Sequence, residues 1–404
     1  MAATLEGNAC IGQSGGPTVV INQSLVGAVE EARKHKPIKR ILGAVHGTEG
    51  MMREAFKDLT RTGRKTLDAV ADSPSAALGS CRHKPDEADC AAILDVLQKH
   101  NVRYYFYIGG DDSAKSTDII AGMADREGYE MRCIHIPKTI DNNLVGSDHT
   151  PGFGSAARFV ASAVRGDDMD NRSIPGVKVD VIMGRDAGWL TAASVLARRQ
   201  DGDGPHLIYL PEVPFSITQF LKDARGVVME HGRAVIAVSE GIRDNNGKLW
   251  AKKLAETSDA DVAGDAFGHF QLSGTGALAD YLTMRIKDGL SSLNVTRVRG
   301  DTFGYLQRSF PGFASPVDQR EAREVGRAAV RYACQGKDGS VAIKRKETKK
   351  YASYTELIPL KRVAGKNREV PKKYIATGGN DIRPSFVDYC LPLTGGIPDA
   401  ASLV

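Results

Sequence analysis

Short apolar runs rich in β-branched and aromatic residues recur along the chain, with amphipathic stretches between them. The runs cover residues 9–12, 40–44, 104–108, 132–136, 177–183, 206–210 and 234–239. A run that is apolar on both faces and bounded by glycine or proline suits a strand buried in a parallel sheet. Between the runs, Ile21, Leu25, Ala28, Val29 and Ala32 keep the spacing of one helical face, as do Cys90, Ile93, Leu94 and Leu97. Strands alternating with helices predict an α/β fold with mostly parallel sheets covered by helices.

In such folds the functional loops follow the carboxyl ends of the strands. Five polar, mostly glycine-containing clusters fall there: Gln13-Ser14-Gly15-Gly16-Pro17, Gly109-Gly110-Asp111-Asp112-Ser113, Pro137-Lys138-Thr139-Ile140-Asp141-Asn142-Asn143, Met183-Gly184-Arg185-Asp186 and Ser239-Glu240-Gly241. Five clusters on one side define a cleft. The segment Asp148-His149-Thr150-Pro151-Gly152-Phe153-Gly154 is expected to mark a domain crossing. Two α/β domains are predicted, over 1–150 and 151–311, the first completed by a segment after about 312. Residues 243–298 lack a strand rhythm and carry the turn Arg243-Asp244-Asn245-Asn246-Gly247, so they are expected to form an insertion. Residues 340–404 are expected to be a C-terminal extension packing on the core.

The length of 404 residues suits two domains, and a charged fraction of 25% with 42% hydrophobic residues suits a globular chain. The net charge of +5 is uneven: residues 344–373 hold eleven Lys or Arg against three acids. No aromatic platform accompanies that charge, so a solvated basic face is expected rather than a nucleic-acid partner. The six cysteines form no C-x-x-C pair and are expected to be reduced, mostly buried thiols. No signal sequence and no apolar run long enough for a membrane span is apparent, which makes the cytoplasm the expected compartment.

Phosphoryl transfer needs a cradle for the donor phosphates, a metal to spread their charge and a base for the acceptor hydroxyl. Gly15 and Gly16, between a strand and a helix expected to start near Thr18, either cradle a phosphate or only make a tight turn. Asp111 and Asp112 precede a helix. One acid would serve as a cap, and a second invites a Mg²⁺ role, assigned to Asp111. Asp141 is either the base or the acid of an Asx-turn, and Lys138 would hold it ionised. Beside a phosphate cradle, Lys138 would instead steady a leaving phosphate. Arg308, with Arg185 and Arg299, offers forks for phosphate, although a surface ion pair is the more ordinary role for any one of them.

Taken in order, these segments resemble the phosphofructokinase family. The motifs are Ser14-Gly15-Gly16, Leu78-Gly79-Ser80-Cys81-Arg82, Gly109-Gly110-Asp111-Asp112-Ser113, Thr139-Ile140-Asp141-Asn142, Met183-Gly184-Arg185, Glu240-Gly241 and Gly304-Tyr305-Leu306-Gln307-Arg308. The resemblance implies two Rossmann-like domains with the active site in the interdomain cleft. It implies that Gly16 and Arg82 bind the donor, that Asp111 serves Mg²⁺, and that Asp141 deprotonates the 1-hydroxyl of fructose 6-phosphate. It also implies that Thr139, Ile140, Met183, Gly184, Arg185, Glu240, Arg299, Tyr305, Leu306, Gln307 and Arg308 meet the sugar phosphate.

Asp112 and Lys138 stand where ATP-using members have glycine, and Tyr305 where they have histidine. This is similar to the pyrophosphate-dependent branch. Asp112 would then exclude ATP and Lys138 would stabilise the departing phosphate. Asn143 replaces an aspartate common in the family. The implied activity is reversible phosphoryl transfer from pyrophosphate, a step of glycolysis and gluconeogenesis, by a homo-oligomer, dimer or tetramer. The alternatives are an ATP-dependent 6-phosphofructokinase and a non-catalytic regulatory subunit of the same fold. A dinucleotide-binding module lacks the G-x-G-x-x-G fingerprint in the right place.

Overall fold

The computed structural model describes residues 5–257 and 276–401, and the chain divides into two compact units. The first unit takes in residues up to 155 together with 308–368, and the second takes in 156–307 together with 369 onward.

The first unit is built on a sheet of β1 (Gly7–Gln13), β2 (Ile38–Ala44), β3 (Phe56–Asp58), β4 (Val102–Gly109) and β5 (Arg132–Pro137), with two late strands. The second unit holds β6 (Val177–Ile182), β7 (Leu207–Tyr209), β8 (Ala234–Ser239) and β9 (Val298–Thr302). The late strands of the first unit are β10 (Gly339–Arg345) and β11 (Ser353–Ile358). Among the described residues the first sheet runs β11-β10-β5-β4-β1-β2-β3. Its central pairs are parallel, and β3 and β11 close its edges antiparallel. Ile11, Phe106, Ile108, Ile134 and Ile136 are fully buried between the helical layers.

One layer pairs the helix Ile21–Ala32 with the helix Pro316–Cys334, which joins it from far along the chain. Gly27 and Gly326 let these two backbones touch, since a Cβ on either would strike the carbonyl of Arg323 or Ser24. Ser315 starts the later helix by accepting from the N–H groups of Val317 and Asp318, with Pro316 in the first turn.

The sheet of the second unit, β7-β8-β6-β9, is parallel throughout. Val179, Ile236, Val238, Phe220, Leu282 and Ile286 fill one of its faces. The segment from 369 onward joins this unit through an aromatic cluster of Trp189, Tyr374, Phe386 and Tyr389. The N–H of Ile208 also donates to the carbonyl of Asn380 at 2.9 Å.

All seven predicted strands form. The sequence pattern does not announce β3, β9, β10 or β11. The proposed insertion at 243–298 contains the helices Trp250–Thr257 and Ala277–Gly289 and the start of β9. Its residues 258–275 lie outside the described residues. All six cysteines are free, and five of them are buried. Among the described residues no helix is long and apolar enough to cross a membrane.

Candidate active site

The first unit gathers a set of charged groups at the carboxyl ends of β1, β4 and β5. After β1, the N–H of Ser14 donates to the carbonyl of Ile108 at 2.9 Å, and that of Gly15 to the carbonyl of Cys81 at 2.9 Å. These bonds fix Gly15 at a φ of +73°, which a glycine tolerates. They also bring the Cys81-Arg82 segment to the loop. A Cβ on Gly16 would lie 2.7 Å from Nη1 of Arg308 and 3.9 Å from Nη2 of Arg82. Gly16 therefore leaves open the space towards which two guanidinium groups converge. The helix beyond starts at Ile21 rather than near Thr18, because an irregular stretch ending in a turn at Val19 and Val20 comes first. Any anion bound at this loop would therefore meet loop N–H groups and arginines more than that helix's dipole.

Lys138 leaves β5 on this side and is almost fully buried. Its Nζ donates to the carbonyl of Gly16 at 2.8 Å, and its own N–H holds the carbonyl of Gly109 at 2.9 Å. Burial brings its pKa down to about 8, helped by the positive charges of Arg308 and Arg82 and opposed by Asp141 and Asp111. The same balance ties Lys138 electrostatically to four other site residues. Beneath it, His135 is wholly buried, with Nε2 3.0 Å from the carbonyl of Gly109 and Nδ1 2.8 Å from the hydroxyl of Ser340. Burial holds this imidazole neutral, its pKa brought down to about 4. One ring N–H then bonds Gly109 while the other nitrogen accepts from Ser340. No sequence motif marks His135, which supports the Gly109-Gly110 turn from below.

Asp111 and Asp112 occupy the first turn of the helix Asp111–Arg126, whose N-cap is Gly110. Neither acid is the capping residue. Burial and the neighbouring charge of Asp112 raise the pKa of Asp111, against backbone N–H groups and Lys84 that lower it. Among the described residues Asp111 forms no ion pair, so its carboxylate fits a hard cation that would lower the same energetic cost. Asp112 is half-exposed and pairs with Lys84 at 2.7 Å. No sequence motif marks Lys84, which partly neutralises Asp112. Any exclusion of nucleotide by Asp112 would therefore rest on bulk as well as on charge.

Thr139, Ile140 and Asp141 follow Lys138. The N–H of Asp141 donates to Oγ1 of Thr139 at 3.1 Å, and that hydroxyl points back to Oδ2 of Asp141 at 3.4 Å. Ile140 is buried and serves as an anchor. The basic segment 344–373 is not uniformly a solvated face. Arg345 pairs with Asp148 at 3.2 Å, and Arg368 is half-buried and donates to Asn142, Ser147 and Asp148.

In the second unit a smaller group forms at the carboxyl ends of β6, β8 and β9. The N–H of Met183 donates to Oε1 of Gln307 at 3.2 Å, and Nε2 of Gln307 donates to the carbonyl of Gly304 at 2.8 Å. The N–H of Gly184 lies 3.5 Å from the carboxylate of Glu240, and the Ser239 hydroxyl donates to the carbonyl of Gly184 at 2.7 Å. Gly184 adopts a φ of +146°, and a Cβ on Gly241 would strike the carbonyl oxygens of Gly184 and Arg185. Met183, Gly184, Arg185, Glu240 and Gln307 thus come together around the two loops. Tyr305 and Leu306 precede Gln307 and are 40% and 58% exposed. Arg299 is not gathered with them. It pairs in register with Lys178 near the start of β6, five residues before Met183, and its Nη1 donates to the carbonyl of Val298 at 3.1 Å. At about 3.3 Å per strand residue, that is roughly 16 Å from the loop end.

The phosphofructokinase family profile matches residues 8–333. A pyrophosphate–fructose 6-phosphate 1-phosphotransferase of Rhodospirillum rubrum is 52% identical over 400 residues, covering 98% of this chain and 97% of the relative. One of Xanthomonas campestris is 37% identical, with 97% and 92% covered. Among solved structures, the pyrophosphate-dependent phosphofructokinase from Marinobacter aquaeolei superposes with a TM-score of 0.83 at 32% identity, over 97% of this chain and 92% of that one. Sequence, fold and ordered motifs agree, and the chain belongs to the phosphofructokinase family.

Proposed function

We propose that this protein reversibly transfers a phosphoryl group from pyrophosphate to the 1-hydroxyl of D-fructose 6-phosphate, giving fructose 1,6-bisphosphate and phosphate. The observation that carries this reading is the buried Lys138, held on Gly16 and surrounded electrostatically by Arg308, Asp141, Arg82 and Asp111. A cation so placed suits a small, highly charged donor and a phosphate leaving group, which needs charge stabilisation rather than protonation. The names of the relatives point the same way.

In this reading the first unit takes the donor and the second the sugar phosphate. Gly16 and Arg82 hold donor phosphate oxygens, Lys138 steadies the departing phosphate, and Asp141 takes the proton of the 1-hydroxyl as its oxygen bonds to phosphorus. Thr139, held against Asp141, and Ile140 border the acceptor. Met183, Gly184, Arg185, Glu240, Tyr305, Leu306, Gln307 and Arg308 would contact the sugar phosphate, whereas Arg299, set back along β9, lies apart from that group. Asp111 would hold Mg²⁺, directly or through water, and the ion would supply neutralisation of pyrophosphate charge. A homo-oligomer working in the cytoplasm completes the proposal.

Asp112 would keep ATP out by its bulk and charge at the turn where a nucleotide's α-phosphate would run. A donor panel tests the whole reading. Turnover with pyrophosphate and Mg²⁺ is expected to exceed that with ATP at least a hundredfold, and Asp112→Gly is expected to narrow the gap. Comparable turnover of the unsubstituted protein with ATP would overturn the donor assignment.

A further inference from the structure

We infer that Arg368 is a positioning residue for Asp141, closing the neck of the loop that carries the base. The inference rests on the reaction proposed above. The chain leaves β5 at Pro137, passes Lys138 and Asp141, and returns to β10 at Asp148, whose N–H donates to the carbonyl of Ile343 at 2.8 Å. In between, Asn142 is wholly buried in the left-handed region at a φ of +54°. Asparagine enters that region more readily than most side chains, and its surroundings decide how firmly it stays there.

Arg368 supplies the hold. Its Nε donates to the Asn142 carbonyl at 2.8 Å, and Nη2 donates to Oδ1 of Asn142 at 2.9 Å. On the far side of the neck, Nη1 donates to the Ser147 carbonyl at 2.8 Å and Nη2 to the Asp148 carbonyl at 2.7 Å. The Arg368 N–H also holds the carbonyl of Asn143 at 2.8 Å, and the side chain of Asn143 donates to Asn367 at 2.8 Å.

One planar group thus joins residue 142 to residues 147 and 148, immediately after the base. A lysine offers three donors on one nitrogen and cannot span those four oxygens. Arg368 is also the last residue of the first unit before the chain enters the second. Displacing a reacting group by about 1 Å is enough to cost roughly a hundredfold in rate, so the clamp acts on the catalytic step through Asp141.

The test compares Arg368→Ala and Arg368→Lys with the unsubstituted protein in steady-state turnover and in amide hydrogen exchange of residues 138–149. Arg368→Ala is expected to lower kcat roughly 10- to 100-fold while KM for both substrates moves less than about threefold. Exchange should accelerate within 138–149 and stay unchanged in β1, β2 and the second unit. Arg368→Lys should recover little, and millimolar guanidinium should restore part of the alanine variant's kcat.

Unchanged kcat, or unchanged exchange in 138–149, overturns the inference. So does a loss of kcat matched by faster exchange throughout the first unit, since that reports a general fold contact. If the unsubstituted protein moves no phosphoryl group from pyrophosphate, the proposed reaction fails, and the exchange measurement still decides whether Arg368 holds the loop.

Discussion

The loop from Lys138 to Asp148 in the first unit and the turn from Gly304 to Gln307 in the second both follow a parallel strand and both carry proposed site residues. They are held very differently. The first has Lys138 on Gly16, Asp148 on β10 and four side-chain hydrogen bonds from Arg368, with Asn142 and Ile140 buried inside it. In the second, Gln307 bonds Met183 and Gly304, while Tyr305 and Leu306 stand substantially exposed. The contrast separates two tasks. Groups that must face a developing charge gain from being fixed in advance. Groups that recognise a sugar phosphate can be ordered by the ligand, at a cost paid in affinity. The first loop should therefore govern kcat and the second KM for the sugar.

The most severe test is Asp141→Ala. Loss of a general base is expected to lower kcat by about 10²–10⁴-fold with fructose 6-phosphate still bound. If steady-state turnover stays within tenfold, Asp141 is not the base and the contrast loses its first half.

Next comes Lys138. Below a pKa of about 8 its ammonium is protonated, and the charge disappears as pH rises through that value. The profile of kcat/KM for pyrophosphate, which reports the free enzyme, should fall above about pH 8. Lys138→Met should lower the plateau and erase this limb, and Lys138→Arg should shift the fall to higher pH. A limb that survives in Lys138→Met assigns the titration to another group.

The smallest effect is expected from Tyr305→Ala, which should raise KM for fructose 6-phosphate about three- to tenfold and leave kcat within about twofold. A collapse of kcat instead would mean that the exposed turn helps to fix the reacting geometry, and the division of labour would break.

These regions also differ in how far the sequence discloses them. The central strands are legible because both of their faces are buried, as Tyr105, Phe106 and Ile108 of β4 and Ile236 and Val238 of β8 illustrate. β9 is hidden because Val298–Thr302 carries arginine and aspartate on exposed positions with a glycine between them. β11 is hidden because an edge strand alternates in exposure and so lacks a continuous apolar run. The ordered motifs disclose most of the candidate site. They do not disclose His135, Lys84 or Arg368, whose roles come from contacts with distant segments. Arg368 meets Asn142 across 226 residues, a pairing that no local pattern encodes. Arg299 is the converse case: a family register names it, yet its strand position sets it apart from the other groups of its unit.

The first unit is discontinuous, and this bears on how the protein comes to be folded. β10 lies between β5 and β11 in the sheet, and the helix Pro316–Cys334 covers the core on which β1 rests. Both arrive after the whole of residues 156–307 has been synthesised. During translation the early strands must wait, with one sheet edge and part of one face uncovered, for partners about 200 residues downstream. Pairings of such sequence separation are slow, and uncovered edges invite aggregation. The four-stranded sheet of the second unit, by contrast, is complete once β9 has emerged. The second unit's sheet is accordingly expected to be the earlier one to form on the ribosome, and the loop bearing Asp141 to be fixed only when Arg368 appears.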